Sequence, residues 1–371
     1  MTKGKPFVLS RAGAKRRPVS KDRPLLLFDT CSRVARTLLR ANGVLVFVAL
    51  CATTAAADEP LQLKFGFPSP PTSWTNTMGA TPWIKQVEEA AGGAVEIKLF
   101  PGGSIATFRT VYDRLLNGVI DVCFGTFGEI GAQYPRTSVW SLPFEAERSS
   151  QAGLAVWRLY EAGVIAEEYG KVKALAVLGF GTSGIHATQP VAKVEDMQGL
   201  KIIALSRASG EGVQLSGAAP VTMTPAEIYQ SIQRGLAAGV SFTWPGVDTF
   251  KIGEVTRHHV DVPFGMGGGY YFMNKELHAK LPDKVRAAVD KFSGRPLAEM
   301  MAKAVDTVDQ ESIQRVMAIP GQTHHKMDAA AQARWKARLQ PMTDEWVRNT
   351  PDGAKVLAAF RAEVVKLKGG K

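Results

Sequence analysis

Cysteine is scarce in this sequence, with three residues in 371. Cys31 and Cys51 fall in the first 57 residues, and Cys123 alone remains after them. A single cysteine cannot form an internal disulfide, and the apolar neighbours of Cys123 predict a small buried core residue rather than a nucleophile. The sequence therefore excludes a scaffold held together by internal disulfides beyond residue 57.

Long hydrophobic runs are also lacking. The apolar run at residues 44–50 is too short for a comfortable membrane span. A basic region ending at Arg40 precedes it, and the small residues 55–57 follow it, which is typical of a secretory leader cleaved before Asp58. We therefore expect a signal peptide over residues 1–57, a periplasmic mature chain, and no stable membrane insertion once the leader is cleaved.

Net charge is small outside this leader. The formal charge of the whole chain is +11, but residues 1–57 hold eleven Lys and Arg against two Asp, so the remainder is close to neutral. A nucleic-acid-binding domain needs basic residues clustered on a folded face. The sequence after residue 57 offers no such cluster, which excludes nucleic acid as a partner.

Patterns typical of catalysis and metal binding are incomplete. The run 102–106 carries a serine between small residues, but Ala106 replaces the second glycine of a nucleophile elbow. The glycine-rich run 179–184 lacks the lysine of a phosphate-binding loop and the acidic partner of a dinucleotide motif. His258–His259 and His324–His325 have no acidic or cysteine partner at ligand spacing, so we expect solvated histidines at loops or helix ends. The sequence thus predicts no catalytic residue, no metal and no cofactor.

An ordered series of signals is present between residues 194 and 245. A charged turn at 195–199 runs into a short apolar strand, and a second short strand follows at 217–222. Thr224, Pro225 and Glu227 then form a typical helix start, with a capping hydroxyl, a proline in the first turn and a carboxylate that can reach back to the cap. The helix stops at Gly235, and residues 240–244 predict another strand.

This order resembles the solute-binding proteins of tripartite ATP-independent periplasmic (TRAP) transporters, the DctP-like family. The family's successive motifs correspond to Asp196–Ile203, Gly217–Val221, Glu227–Gly235 and Leu236–Gly239. The resemblance implies an extracytoplasmic receptor, not an enzyme, that captures a small organic solute by lobe closure and delivers it to the small and large TRAP membrane subunits. A receptor that feeds a sensor shares every sequence feature with it, and a secreted hydrolase is the less favoured alternative.

The family also implies the fold. We expect an α/β, two-lobed periplasmic binding protein fold, with mixed sheets flanked by helices, a ligand cleft between the lobes and a long helix, about 296–317, that spans both. A short internal echo supports two lobes, since residues 112–122 match 229–240 at an offset of 117. The predicted boundaries are 58–185 plus 266–305 for lobe I, 186–265 plus 306–345 for lobe II, and 346–371 for a C-terminal helix.

Candidate ligand contacts come mainly from segments that follow strands, because the carboxyl ends of strands line the ligand cleft in open α/β sheets. The resulting candidates for the cleft wall are Ser69, Trp74, Thr126, Phe127, Thr224, Phe242 and Trp244.

Polar anchors implied by the family are changed in this chain. The resemblance places Ile203 where the family has a carboxylate-binding arginine, Gln189 at a second polar position, and Phe242 near the place of an asparagine. An arginine fork matches a carboxylate with two parallel bonds. Arg207, four residues beyond Ile203, is the nearest replacement cation; an exposed Arg207 with no ligand role is the alternative.

A cleft of this composition favours apolar or aromatic ligand surface, at about 25 cal/mol per Å² buried. It cannot neutralise a buried carboxylate without a cation, because an unpaired buried charge is very costly. The sequence therefore predicts an organic acid with an aromatic or apolar body as the ligand, held by stacking and a few hydrogen bonds. The acid group would be neutralised only if Arg207 turns inward.

Overall fold

Alternating apolar and polar residues build the strands, as in β1, where Leu63 and Phe65 are buried while Gln62 and Lys64 are exposed. The computed structural model describes residues 59–368, except for the side chains of Thr182, Pro263, Gly265 and Met266. The strands of this part are β1 (Leu61–Gly66), β2 (Val95–Phe100), β3 (Val122–Thr126), β4 (Val172–Ala187), β5 (Lys201–Ala204), β6 (Ala219–Thr222), β7 (Gly239–Thr243), β8 (His258–Asn274) and β9 (Thr323–His325).

Helices cover both faces of the strands. They are α1 (Thr81–Ala90), α2 (Val111–Leu116), α3 (Phe127–Ile130), α4 (Ser149–Glu161), α5 (Arg207–Leu215), α6 (Ile228–Gln233), α7 (Trp244–Thr249), α8 (Lys275–Lys280), α9 (Asp283–Phe292), α10 (Arg295–Met317), α11 (Ala329–Asn349) and α12 (Gly353–Lys368). None of the described helices is long and apolar enough to cross a membrane.

Two similar halves share one path of strands, in the order β2-β1-β3-β8-β4-β7-β5-β6, with β9 beside β8. In the first lobe β2, β1 and β3 are parallel; in the second, β6, β5 and β7 are parallel. The long antiparallel strands β4 and β8 run through both lobes, and their register shifts between Gly179 and Gly184. The register break thus marks the passage from one lobe to the other.

Core packing follows the same division. Two apolar clusters cover the faces of the first lobe's sheet, and two others, centred on Trp335 and on Ile203, cover those of the second. Helix α10 packs against α4 of the first lobe and α7 of the second, so the expected lobe-spanning helix is present.

The predicted domain boundaries stay a prediction. Residue 346 lies inside α11, and a separate last helix begins at Gly353, after Asp352 with a positive φ of 54°. The predicted leader, residues 1–57, lies outside the described residues.

The predicted position of the paired histidines is wrong. His258 and His259 lie in β8, and His324 and His325 lie in β9, where the two strands pair in parallel. His259 is fully buried because its strand is covered on both faces. No group of three His, Cys, Asp or Glu side chains in residues 59–368 could hold a metal ion.

Candidate ligand-binding site

A cavity lies between the two lobes, where β3, β5 and β7 end. We call it the central cavity. It is lined by Thr126, Gly128, Glu129, Ser141, Phe180, Ser183, Leu205, Ser206, Ala208, Ser209, Pro225, Ser241, Phe242, Thr243, Phe264, Gly267 and Gly268. These residues combine aromatic and aliphatic surface with many hydroxyl groups.

A second cavity, the side cavity, shares part of this lining. Phe180 and Phe242 belong to both, and the side cavity adds Ser69 and Trp74 from the loop after β1. The cleft therefore extends from the centre of the molecule toward the end of the first strand.

The N-terminus of α5 opens into the central cavity. Ser206 caps it by accepting a hydrogen bond from the Ser209 backbone N–H at 3.1 Å, and the Ser209 hydroxyl in turn accepts from the Ser206 N–H at 3.0 Å. The first-turn N–H groups of Arg207 and Ala208 have no partner within the helix. This end of the helix therefore carries partial positive charge and free donors, which suit an anion.

Ser241, in β7, presents a further polar group to the central cavity. Its side chain is 3% exposed, and its hydroxyl has no hydrogen-bond partner among the described residues. Buried hydroxyls are nearly always paired. Ser241 is thus an unpaired buried hydroxyl beside the central cavity.

Glu129 is the ionisable side chain in the lining of the central cavity. Burial raises the pKa of its carboxyl group, while a hydrogen bond donated by the Thr126 hydroxyl and the charge of Arg109 act in the opposite direction. Among the described residues no lysine or arginine lines the central or the side cavity. The cleft therefore lacks the cation that would hold a carboxylate as an ion pair.

The two lobes approach each other closely at Gly128 of α3 and Leu205 after β5. A Cβ atom built on Gly128 would lie 2.4 Å from the carbonyl oxygen of Leu205. Since only glycine leaves room for this approach, a larger residue at position 128 would hold the lobes apart.

Four of the predicted contact residues line the cleft. Ser69 and Trp74 line the side cavity, and Thr126 and Phe242 line both cavities. Phe127 is directed away into a cluster of aromatic rings, and lines a third cavity beside the central one, the outer cavity. Whether these residues touch the ligand stays a prediction.

Ile203 and Trp244 do not line the cleft, contrary to the sequence-based expectation. Ile203 is fully buried in the core of the second lobe, between strand β5 and the helices that cover it. Leu205, two residues further, faces the central cavity instead. Trp244 is also buried, and its indole N–H donates to Asp261 Oδ1 at 2.7 Å.

The remaining three predicted contacts lie at the margins. Gln189 is exposed beyond the end of β4 and is not in the lining of these cavities. The side chain of Arg207 is 90% exposed, 3.9 Å from Glu345, at the outer cavity. Thr224 donates its backbone N–H to Glu227 at 2.7 Å, as the predicted helix start requires, and the next residue, Pro225, lines the cavity.

Most residues that line the central cavity were missed by the sequence-based analysis, among them Glu129, Phe180, Leu205, Ser206 and Ser241. Phe180 interrupts the glycine-rich run where β4 passes between the lobes, and Ser206 with Ser209 forms a capping pattern before a helix. Both signals are local and could have been found. Glu129 and Ser241 carry no local signal, because their roles follow from the lobe arrangement.

This architecture, two α/β lobes enclosing a cleft at the carboxyl ends of their strands, is that of a solute-binding protein. Residues 69–349 match the bacterial extracellular solute-binding proteins of family 7, DctP, and the chain belongs to that family. The resemblance predicted from residues 196–239 is confirmed.

Relatives with curated descriptions agree with this assignment. The chain is 26% identical over 342 residues to the C4-dicarboxylate-binding periplasmic protein DctP of Rhodobacter capsulatus, covering 89% of this chain and 98% of that protein. It is 24% identical over 227 residues to the sialic acid-binding periplasmic protein SiaP of Vibrio cholerae, covering 59% and 70%. These relatives are solute-binding proteins rather than enzymes.

Solved structures confirm the predicted fold. A TRAP periplasmic solute-binding protein of Bordetella bronchiseptica with bound (R)- and (S)-mandelate is similar at a TM-score of 0.77, with 26% identity, covering 83% of this chain and all of that one. A TRAP solute-binding protein of Rhodoferax ferrireducens in complex with copurified benzoate reaches a TM-score of 0.79 at 22% identity, covering 82% and 98%.

Proposed function

We propose that this protein is the extracytoplasmic receptor of a TRAP transporter, and that it captures a small aromatic acid with a single carboxyl group. The observation that carries the proposal is the composition of the central cavity. Phe180, Leu205 and Phe242 give apolar surface, hydroxyl groups surround it, and no lysine or arginine among the described residues lines it.

The aromatic body of the ligand would lie against Phe180 and Phe242. Ring pairs contribute about 0.5–1.5 kcal/mol beyond the burial of area. The acid group would lie at the N-terminus of α5, within reach of the free amides and of Ser241. The mandelate and benzoate bound by the two structural relatives support a ligand of this class.

A dicarboxylate fits this cavity less well. Its second carboxylate would have to be desolvated without a cation, which is costly. The family's arginine position is occupied by Ile203, which lies in the core, and the side chain of Arg207 points out of the central cavity. The chain therefore differs in ligand class from its dicarboxylate-binding relative.

Binding assays on the chain from residue 58 onward test the ligand class. We expect native mass spectrometry to detect a copurified aromatic acid, and benzoate or mandelate to raise the melting temperature more than succinate does. Phe242→Ala should weaken binding at least about tenfold through lost ring contact. Phe292→Ala, a phenylalanine packed outside the cleft, is the matched control and should bind as wild type. Tight succinate binding without an effect of aromatic acids would contradict the proposal.

Delivery to the small and large membrane subunits needs a separate experiment. Cells that express the receptor with both TRAP subunits should accumulate labelled aromatic acid, and cells that lack either subunit should not. Binding without uptake in the complete system would favour a receptor that serves a sensor.

A further inference from the structure

We propose that Glu129 makes ligand capture proton-coupled: its carboxylic acid form donates a hydrogen bond to the ligand carboxylate, so that each acid anion binds together with one proton. This inference rests on the proposed function and specifies how a cleft without a cation holds an acid.

The position of Glu129 brings its carboxyl group to the place where the acid group of a ligand would lie. Glu129 follows β3 in the first lobe, and Ser206 and Ala208 at the start of α5 face it across the same cavity. The Gly128–Leu205 approach brings these two segments together. One carboxyl oxygen accepts from the Thr126 hydroxyl, which leaves the acid proton free to be donated to a ligand.

Charged groups on the elements around Glu129 do not neutralise the negative charge that a ligand carboxylate would add beside it. Arg109, before α2, acts on Glu129 at a distance, and its guanidinium lies 3.4 Å from Glu227. On the other side, Arg207 is paired with Glu345 of α11, and Glu211 of α5 adds a further carboxylate to the outer cavity. The buried Tyr270 hydroxyl of β8 is a further titratable group near Glu129, and burial raises its pKa well above the usual range.

Two carboxylates in hydrogen-bond contact cannot both remain ionised, so a proton is shared between them. Burial already raises the pKa of Glu129, which lowers the free-energy cost of taking up this proton when the ligand binds. The anion then binds the protonated form. Above the pKa of Glu129 in the free protein, affinity should fall about tenfold per pH unit, as for any binding step that takes up one proton.

Calorimetry measures this directly. Benzoate or mandelate is titrated into the wild-type chain between pH 6 and pH 8, in phosphate and in Tris, whose ionisation enthalpies differ. We expect an uptake of about one proton per ligand and the corresponding loss of affinity as pH rises. Glu129→Gln, which mimics the neutral acid, should bind without proton uptake and with little pH dependence.

Glu211→Gln is the matched control, because burial and the neighbouring Glu345 also raise the pKa of Glu211, in the outer cavity. It should keep the wild-type proton uptake. If aromatic acids bind with no proton uptake, the role of Glu129 is refuted while the proposed function stands. If Glu129→Gln loses binding and an aromatic amine binds the wild type, Glu129 pairs with a cation instead. If no aromatic acid binds at any pH, both proposals fail.

Discussion

Gly128→Ala tests whether closure of the cleft depends on the missing side chain at position 128. In Gly128→Ala the new Cβ would lie 2.4 Å from the Leu205 carbonyl oxygen, whereas real Cβ atoms essentially never approach closer than 3.0 Å, so the lobes must separate by several tenths of an ångström. Overpacking of this kind costs about 1–3 kcal/mol. If the contact forms only when the cleft closes, the whole cost falls on the bound state, and Kd rises roughly 5–150-fold.

Isothermal titration with the aromatic acid found for the wild type gives the change in Kd, and thermal unfolding without ligand gives the stability. We expect the affinity to fall while the melting temperature of the free protein stays nearly constant. Gly131→Ala is the matched control on the same segment, since its Cβ would meet nothing within 4 Å and its φ of −55° suits alanine. Unchanged affinity in Gly128→Ala, or an equal loss of stability in the free protein, would refute the reasoning.

Three other variants and conditions separate core residues from cleft residues. Ile203→Ala should lower the free energy of unfolding by about 2–5 kcal/mol in urea titrations while leaving Kd unchanged, because Ile203 packs only in the core. Arg207→Ala should change Kd by less than about twofold by calorimetry, because its exposed ion pair contributes little. Burial lowers the pKa of His259 to about 4 and also lowers that of His186, so both bind protons more weakly in the folded state. The free energy of unfolding should therefore be highest above pH 6.5 and should fall by about 1.4 kcal/mol per pH unit per histidine as the pH is lowered toward 4. Urea titrations at pH 7, 6 and 5 measure this change.

The fold could be predicted because its signals are local. Alternation defined β1 and β2, and Thr224, Pro225 and Glu227 identified the start of the turn before α6, with the expected hydrogen bond from the Thr224 N–H to Glu227. Such patterns depend on neighbours in sequence, and their order along the chain identified the family. The order of strands and helices along the chain could therefore be predicted without a structure.

The site was less accessible because the direction of a side chain depends on a register that one sequence does not supply. Ile203 lies in β5 and Leu205 lies just after its end, but Ile203 packs under the helices and Leu205 faces the cavity. In the same way, Trp244 follows β7 directly, yet its indole is held by Asp261 in the core. Because Leu205 lies beyond the end of β5, the alternation of the strand does not predict where its side chain points.

If the ligand binds together with a proton, one physical cause explains two features of this chain. The described part of its cleft lacks the arginine of the family, and the lining of the cleft is more apolar. A carboxylate buried without a partner is very costly, whereas a neutral acid needs only hydrogen bonds. Hydroxyls such as Ser241 and the free amides of α5 supply such bonds, and Phe180 and Phe242 stabilise the ring. An arginine at position 203 is then unnecessary, so that position can serve the core. A dicarboxylate would need a second proton donor, and none of the described lining residues besides Glu129 is an acid.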